Sequence, residues 1–114
     1  MKKQNRIKKR KEFNYIFRNG ENINGKFVSL ITTSNKTNVF KVGFSVSKKV
    51  GKSVVRNKVK RRIKEAVYLY RTLLQKKTNY IFVAKSKASE ATFEEIKNNV
   101  LDLLTKFNEK NKII

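Results

Sequence analysis

The spacing of apolar side chains changes twice between residues 39 and 85, and this order of patterns limits the folds open to the chain. Residues 39–47 alternate between apolar and polar side chains, which is typical of a half-buried strand. A helical period follows from about Ser53, the expected N-cap, to about Leu74. Residues 79–85 contain five apolar side chains in a row, which indicates a strand buried on both faces. Together these patterns predict a strand–helix–strand crossover, which is right-handed by default.

Two further helices are predicted near the ends of the chain. Phe13 and Phe17 lie one helical turn apart on the apolar face of a short helix, and Gly20 is expected to end it with a positive φ angle. Thr92 and Glu95 have the spacing of a capping box, and apolar residues recur after them at helical spacing. Each helix therefore has an apolar face that can pack on a sheet.

The remaining segments complete a small sheet. Residues 27–33 are rich in β-forming side chains, and we expect them to pair with residues 39–47 as an antiparallel hairpin. Residues 22–26 are expected to form a turn or a short irregular strand. The predicted order is α-β-β-β-α-β-α with a short first strand, an α+β fold in which three helices pack on a small, mostly antiparallel sheet. Residues 1–114 are expected to form one domain that begins with a basic N-terminal arm at residues 1–10.

Positive charge is concentrated in the first half of the chain. The sequence has 29 Lys and Arg residues against 8 Asp and Glu residues, which gives a net charge of +21. Residues 1–64 hold 20 of the basic residues and 2 of the acidic ones. A compact domain with this charge is normally neutralised by a polyanion. Nucleic acid is therefore the leading candidate partner, and an anionic membrane surface is the second.

The chain contains no cysteine and no histidine. Their absence removes disulfides, the usual zinc ligands and the usual general acid or base near neutral pH. No apolar run approaches the roughly 20 residues that span a bilayer. The N-terminal residues lack the apolar segment of a signal peptide. We therefore expect a cytoplasmic protein.

The basic residues of the long predicted helix share one face. Residues 48–64 contain nine basic residues and no acidic one. On a helical wheel a continuous polar face lies beside the apolar stripe, formed by Arg56, Asn57, Lys60, Arg61 and Lys64. Like charges one turn apart destabilise the free helix, a cost that RNA phosphates would remove. A merely solvated face is the alternative, but such faces usually mix both signs of charge.

Two adjacent segments carry a specific pattern. Residues 41–51 are Lys-Val-Gly-Phe-Ser-Val-Ser-Lys-Lys-Val-Gly, and residues 55–65 are Val-Arg-Asn-Lys-Val-Lys-Arg-Arg-Ile-Lys-Glu. This stretch closely resembles the bacterial ribonuclease P protein component, in which a strand ending in Ser-Val-Ser-Lys-Lys precedes an Arg-Asn-x-x-Lys-Arg helix at the same spacing. Residues 6–20, 80–85 and 92–95 are similar to other segments of that family, so the resemblance covers nearly the whole chain.

The resemblance implies a function and partners. Proteins of this family belong to a ribonucleoprotein endonuclease that removes the 5′ leader from precursor tRNA, and the RNA subunit, with magnesium, carries the hydrolytic chemistry. The protein would then have no catalytic residue and no assigned cofactor of its own, and the magnesium would lie mainly on the RNA. Its implied partners are one RNA subunit and precursor tRNA, with no membrane. The implied fold is like domain 2 of ribosomal protein S5 and contains a left-handed crossover, against the default hand.

The resemblance also assigns site residues by position. The predicted RNA-binding residues are Lys48, Lys49, Lys52, Arg56, Asn57, Lys58, Lys60, Arg61 and Lys64. The predicted cleft for the single-stranded leader is lined by Phe13, Phe17, Phe44 and Lys85. The spacing of Phe13 and Phe17 suits either stacking on unpaired bases or anchoring of a short helix in the core, and Phe44 is equally ambiguous. The family commonly has arginine at the position of Lys58, and the last basic position of the motif is Lys64. Lysine keeps the positive charge at both positions but lacks the forked guanidinium that forms two parallel hydrogen bonds.

Three other functions fit part of the sequence. A structural RNA binder, such as a ribosomal protein, fits the composition but leaves the ungapped match to both motifs unexplained. A nuclease with its own active site needs clustered carboxylates or histidines, and only Glu12 and Glu21 lie in the basic half. Membrane association through the basic amphipathic helix leaves the flanking strands and Asn57 unexplained.

Overall fold

Seven helices and strands follow one another in the predicted order in the computed structural model, which describes residues 2–111. The three helices are α1 (Arg10–Asn19), α2 (Ser53–Leu69) and α3 (Phe93–Lys110). The four strands are β1 (Glu21–Ile23), β2 (Val28–Ser34), β3 (Lys41–Ser45) and β4 (Thr78–Ala84). Short 3₁₀ segments lie outside these elements at Lys3–Asn5, Lys48–Val50, Arg71–Leu73 and Ser86–Glu90. This arrangement confirms the predicted α+β fold.

The four strands form one sheet in the order β1-β2-β4-β3. β2 pairs antiparallel with β1 and β4, whereas β3 pairs parallel with β4. The predicted hairpin between residues 27–33 and 39–47 is therefore wrong, because β4 lies between those strands. Tyr80, Ile81 and Phe82 of β4 are all 0% exposed, and a strand that is apolar on both faces is most stable at the centre of a sheet. The β3-α2-β4 crossover is confirmed, and its hand stays a prediction.

The sheet separates two apolar clusters of different size. On one face α2 and α3 pack against Leu30, Tyr80 and Phe82. On the other face α1 packs through Ile16 against Ile31 and its neighbours. Burying the apolar stripes of the helices turns their polar faces outward. None of the helices within residues 2–111 is long and apolar enough to cross a bilayer.

The ends of α2 differ from the prediction. Lys52 occupies the N-cap position in an extended conformation, without a side-chain hydrogen bond to the helix. Ser53 is therefore the first helical residue, and the prediction that it caps the helix is wrong. The helix ends at Leu69, and the predicted last turn is instead the 3₁₀ segment Arg71–Leu73.

The capping box at the start of α3 is confirmed. Thr92 Oγ1 accepts a hydrogen bond from the backbone N–H of Glu95 at 3.1 Å, and the Glu95 carboxylate accepts one from the backbone N–H of Thr92 at 2.9 Å. The bond from the Thr92 N–H favours the ionised carboxylate and holds the pKa of Glu95 below its ordinary value. Local sequence chemistry alone sets this helix start.

Gly20 follows α1 because of a close approach and not because of its φ angle. Its φ is −79°, so the predicted positive φ is wrong. A Cβ at this position would lie 2.5 Å from Ile31 Cγ2 and 2.6 Å from the carbonyl oxygen of Ile16. The chain turns here directly into β1, which pairs with β2. Only glycine, which has no Cβ, fits between Ile31 and the carbonyl oxygen of Ile16.

Part of the N-terminal arm adds to the edge of the sheet. The backbone N–H of Ile7 donates to the carbonyl oxygen of Val42 at 3.1 Å, and Arg6 forms a parallel bridge with Val42. Asn5 is buried, and its Nδ2 donates to the carbonyl oxygen of Phe40 at 2.8 Å. The arm therefore covers the otherwise open edge of β3.

Candidate nucleic-acid interface

The basic face of α2 is held outward by the opposite side of the same helix. Val59, Ile63, Ala66 and Val67 are at most 2% exposed in the core. The predicted RNA-binding residues of the helix and its N-cap that are exposed are Lys52, Asn57, Lys58, Lys60, Arg61 and Lys64. Rotating the helix would bury these charges, which is far more costly than leaving them in water. The core therefore fixes the direction in which the face points.

Arg56 is the half-buried member of this face. Its Nε is shielded from solvent and has no hydrogen-bond partner in the part of the chain that the structure describes. An unpaired buried donor is uncommon in folded proteins and costs free energy. A ligand that allows the guanidinium to reorient and pair its donors would remove this cost. Arg56 thus has a physical reason to bind an anion.

Lys48 and Lys49 are brought to the N-terminal end of α2 by a tight turn. They are exposed in a 3₁₀ segment that is anchored by Val50, which is buried. Gly51 follows with a φ of +151°, and a Cβ there would lie 3.0 Å from Val55 Cγ1. Glycine alone adopts this conformation without strain. The turn therefore places the predicted basic pair, exposed, just before the N-terminus of α2.

Arg62 has a different role from its basic neighbours. Its guanidinium donates through Nη1 to the carbonyl oxygen of Ala91 at 3.0 Å, and Ala91 is buried just before α3. The side chain thereby fastens α2 to the segment that leads into α3. On the helical wheel Arg62 lies at the edge of the apolar stripe opposite the basic face, which agrees with this inward direction.

Arg6 joins the basic face from a distant part of the sequence. Lys64 Nζ lies 5.8 Å from the ring centre of Phe44, within the range of a cation–π contact. The pKa of Lys64 is lowered from its ordinary value by burial first, and then by the positive charges of Lys60 and Arg6. Sequence reasoning missed Arg6 as a site residue. The sequence offers only a weak signal, an arginine followed by the apolar Ile7. In the structure Asn5 and Ile7 are buried and Arg6 is exposed, as expected for an edge strand.

Phe13 and Phe44 lie next to this cluster of cations. They share a cavity of about 380 Å³ between α1, the arm and β3, lined also by Arg6, Ile7, Val42, Gly43, Lys60 and Lys64. An adjoining cavity of about 450 Å³ continues past Phe13 and Phe44 to Lys8, Arg10, Asn14, Ser45 and Val46. The structure therefore brings two of the three predicted cleft aromatics, Phe13 and Phe44, and two predicted docking lysines, Lys60 and Lys64, into one basic groove.

The two helical phenylalanines differ in burial. Phe13 is half-buried and packs against the smaller apolar cluster while also lining the groove. Phe17 is 44% exposed, so it is not a plain core residue. Lys85 is exposed just after β4, where its backbone N–H donates to the carbonyl oxygen of Phe27 at 2.9 Å. Neither Phe17 nor Lys85 lines the two cavities of the groove, and their role in the cleft stays a prediction.

The chain is similar in sequence and structure to proteins of one family. Residues 1–108 match the family model described as Ribonuclease P. A ribonuclease P protein component from Clostridium botulinum strain 657 is 43% identical over 108 residues, covering 91% of this chain and 95% of the relative. The solved RNase P protein of Staphylococcus aureus has a TM-score of 0.81 at 33% identity, covering 90% of this chain and 94% of that one. The RNase P protein of Thermotoga maritima has a TM-score of 0.80 at 25% identity, covering 89% and 96%.

Proposed function

The chain belongs to the ribonuclease P protein family, and on this basis we propose that it is the protein subunit of a ribonuclease P ribonucleoprotein. In this role it binds the catalytic RNA subunit and the 5′ leader of precursor tRNA. It thereby assists the endonucleolytic removal of the leader that gives the mature 5′ end of the tRNA. One protein binds one RNA subunit.

The outward direction of the basic face of α2 is the observation that carries this proposal. Arg56 and Arg61 can each form two parallel hydrogen bonds to one phosphate, whereas the lysines act as point charges. Asn57 is the uncharged polar member of the face and can bond to a sugar hydroxyl or a base edge. A rigid helix face of this kind suits a folded RNA, whose phosphates are held at fixed positions.

The groove between α1, the arm and β3 is assigned to the single-stranded leader. Unpaired bases stack on aromatic rings with little sequence preference, and cations beside the rings hold the backbone. Phe13 and Phe44 supply the rings and Lys60 and Lys64 the charges. Because Lys60 and Lys64 also belong to the basic face of α2, leader and RNA subunit would be bound side by side.

The chemistry of cleavage is assigned to the RNA subunit with magnesium. Within residues 2–111 no group of three acidic side chains lies close enough together to hold a metal ion. The residues of this chain bind the substrate backbone, orient the leader and reduce the repulsion between the phosphates of two RNA molecules.

Reconstitution tests the proposal directly. The full-length protein is mixed with the cognate RNA subunit and with precursor tRNA at a low magnesium concentration, and leader release is followed on a gel. We expect cleavage that neither the protein nor the RNA subunit gives alone under the same conditions. Cleavage by the protein alone, or no gain over the RNA alone, would contradict the proposal.

A further inference from the structure

A third cavity, of about 280 Å³, lies between the arm, β3 and the C-terminal half of α2. Its lining includes Arg6, Val42, Phe44, Lys64, Glu65 and Tyr68. It adjoins the leader groove at Arg6, Val42, Phe44 and Lys64, but its outer wall is formed by side chains that have no part in the proposed docking or leader contacts. Glu65 and Tyr68 are these side chains, and they decide what the cavity can bind.

Two aromatic side chains form walls of this cavity. Phe44 is held in place by its ring contact with Phe82, with ring centres 6.0 Å apart and planes inclined by 22°. Tyr68 is 47% exposed, which is high for a large aromatic side chain on a folded domain. Arg71 places its guanidinium 4.1 Å from the Tyr68 ring centre, and Phe44 is half-buried. Two such rings that line one cavity can still stack on a flat ligand such as a nucleobase.

Two cations stand at the rim of the cavity. Arg6 is fixed there by its bridge to Val42 on the edge of the sheet. Lys64 lies beside it, and its lowered pKa reflects burial and the unrelieved repulsion from Lys60 and Arg6. An anionic group bound between Arg6 and Lys64 would relieve this repulsion. Aromatic walls with a cationic rim match one nucleotide, with its base inside and its phosphate at the edge.

Glu65 adds a preference among bases. It is the only acidic residue of α2, and within residues 2–111 its carboxylate forms no ion pair, although the helix carries six basic residues. A carboxylate accepts two hydrogen bonds side by side. Guanine presents two adjacent N–H donors on its Watson–Crick edge, whereas adenine and cytosine present one amino group and uracil one N–H. The free carboxylate therefore favours guanine.

We propose that this cavity binds one unpaired guanine nucleotide of an RNA docked on α2, with the base against Phe44 and Tyr68, its Watson–Crick edge on Glu65 and its phosphate between Arg6 and Lys64. The inference rests on the proposed function, because the docked RNA delivers the nucleotide. The cavity thereby adds a base-specific contact to an interface that otherwise consists mainly of phosphate contacts and unspecific stacking.

The test uses the ¹⁵N-labelled full-length protein and three probes: guanosine 5′-monophosphate, adenosine 5′-monophosphate and inorganic phosphate. We expect the guanosine nucleotide to shift the amide signals of Phe44, Glu65 and Tyr68 in a saturable way, and to bind about tenfold more tightly than the adenosine nucleotide. Inorganic phosphate should affect only the signals around Arg6 and Lys64.

Two variants separate the base contacts. Glu65→Gln should bring the two nucleotides to within about twofold of each other, while Glu109→Gln, an exposed carboxylate of α3 without an ion pair in the described part of the chain, should leave the preference unchanged. Tyr68→Ala should weaken both nucleotides equally, and Tyr68→Phe should restore them, which shows that the ring and not the fold is responsible.

Equal binding of the two nucleotides to the unaltered protein, or an unchanged preference in Glu65→Gln, would overturn the guanine assignment. Identical shifts with inorganic phosphate would show that the cavity binds no base. Reconstituted leader cleavage is measured on the same protein samples. Normal cleavage without a guanine preference overturns only this inference, whereas failure of cleavage with unaltered protein overturns the proposed function.

Discussion

The ring of Phe13 lies directly against the backbone of Gly43: a Cβ at position 43 would be 2.6 Å from Phe13 Cζ and 2.9 Å from Cε1. This contact joins α1 to β3 and determines how far the first helix stands from the edge of the sheet. It also forms the floor of the basic groove, because both residues line its first cavity. The width of the groove therefore depends on the absence of a side chain at position 43.

Gly43→Ala should displace Phe13 and destabilise the protein. Overpacking of a closely packed site costs about 1–3 kcal/mol, which urea denaturation can measure. Adding Phe13→Leu makes room for the new methyl group, so the double variant should recover part of the loss. Additive losses in the two variants would show that the two residues do not constrain each other.

Removing Arg56 and Arg61 together should weaken binding to the RNA subunit and flatten its dependence on salt. Each lost phosphate contact lowers the slope of log K against log salt concentration by about one. The matched control is Lys76→Ala with Lys87→Ala, because both lysines are exposed and lie outside the face. The docking assignment fails if the slope stays the same in the arginine variant or falls equally in the control.

Arg62→Ala should reduce the free energy of unfolding without changing the salt slope of RNA binding. The lost bond joins a charged guanidinium to the carbonyl oxygen of Ala91, and such bonds contribute about 1.5–3 kcal/mol. Thermal or urea denaturation measures the loss. An unchanged stability together with a smaller salt slope would instead make Arg62 an RNA contact.

Phe17→Ala should lower the affinity for precursor tRNA more than the affinity for mature tRNA, because only the precursor has the leader. Loss of one stacked base corresponds to about 1–3 kcal/mol. Tyr15→Ala is the matched control, since Tyr15 is another exposed aromatic of α1, at 59% against 44% for Phe17, and is not a predicted leader contact. Equal losses on both substrates would exclude a leader contact by Phe17.

Lys64 should make RNA binding sensitive to pH at the alkaline end. Its pKa in the folded protein is lowered from 10.5, so between the lowered value and 10.5 the unfolded chain binds more protons than the folded one. Stability should therefore rise with pH across this window. A nearby phosphate raises the pKa again, so RNA binding takes up a proton there and affinity falls as pH rises.

Lys64→Arg checks this expectation because arginine stays charged throughout the window. The variant should bind RNA with less dependence on pH than the unaltered protein, as measured by fluorescence anisotropy with labelled RNA. A direct readout is the side-chain NMR titration of Lys64, whose pKa should lie below the ordinary value of 10.5. Identical pH profiles for the two proteins would show that Lys64 does not sense the phosphate.

Features that depend on neighbours along the chain were predictable from the sequence. The capping box at Thr92, the apolar stripe of α2 with its basic face, and the burial of β4 on both sides were all confirmed. Each follows from spacing within a single element, since helical and extended backbones repeat with fixed periods. The family was likewise recognisable, because its motif lies in one ungapped stretch from residue 41 to residue 65.

Features that depend on distant parts of the chain were decided only by the tertiary structure. The sequence determined by itself where helices and strands form and which of their faces are apolar or basic. Tertiary packing determined that β4 lies between β2 and β3. It also determined that the backbone of Gly20 lies close to Ile31, and that Arg6 lies near enough to Lys64 to lower its pKa. The physical reason is that the period of the apolar residues determines which face of a helix or strand is buried. Which element packs against that face depends on which arrangement of the whole sheet buries the most apolar surface.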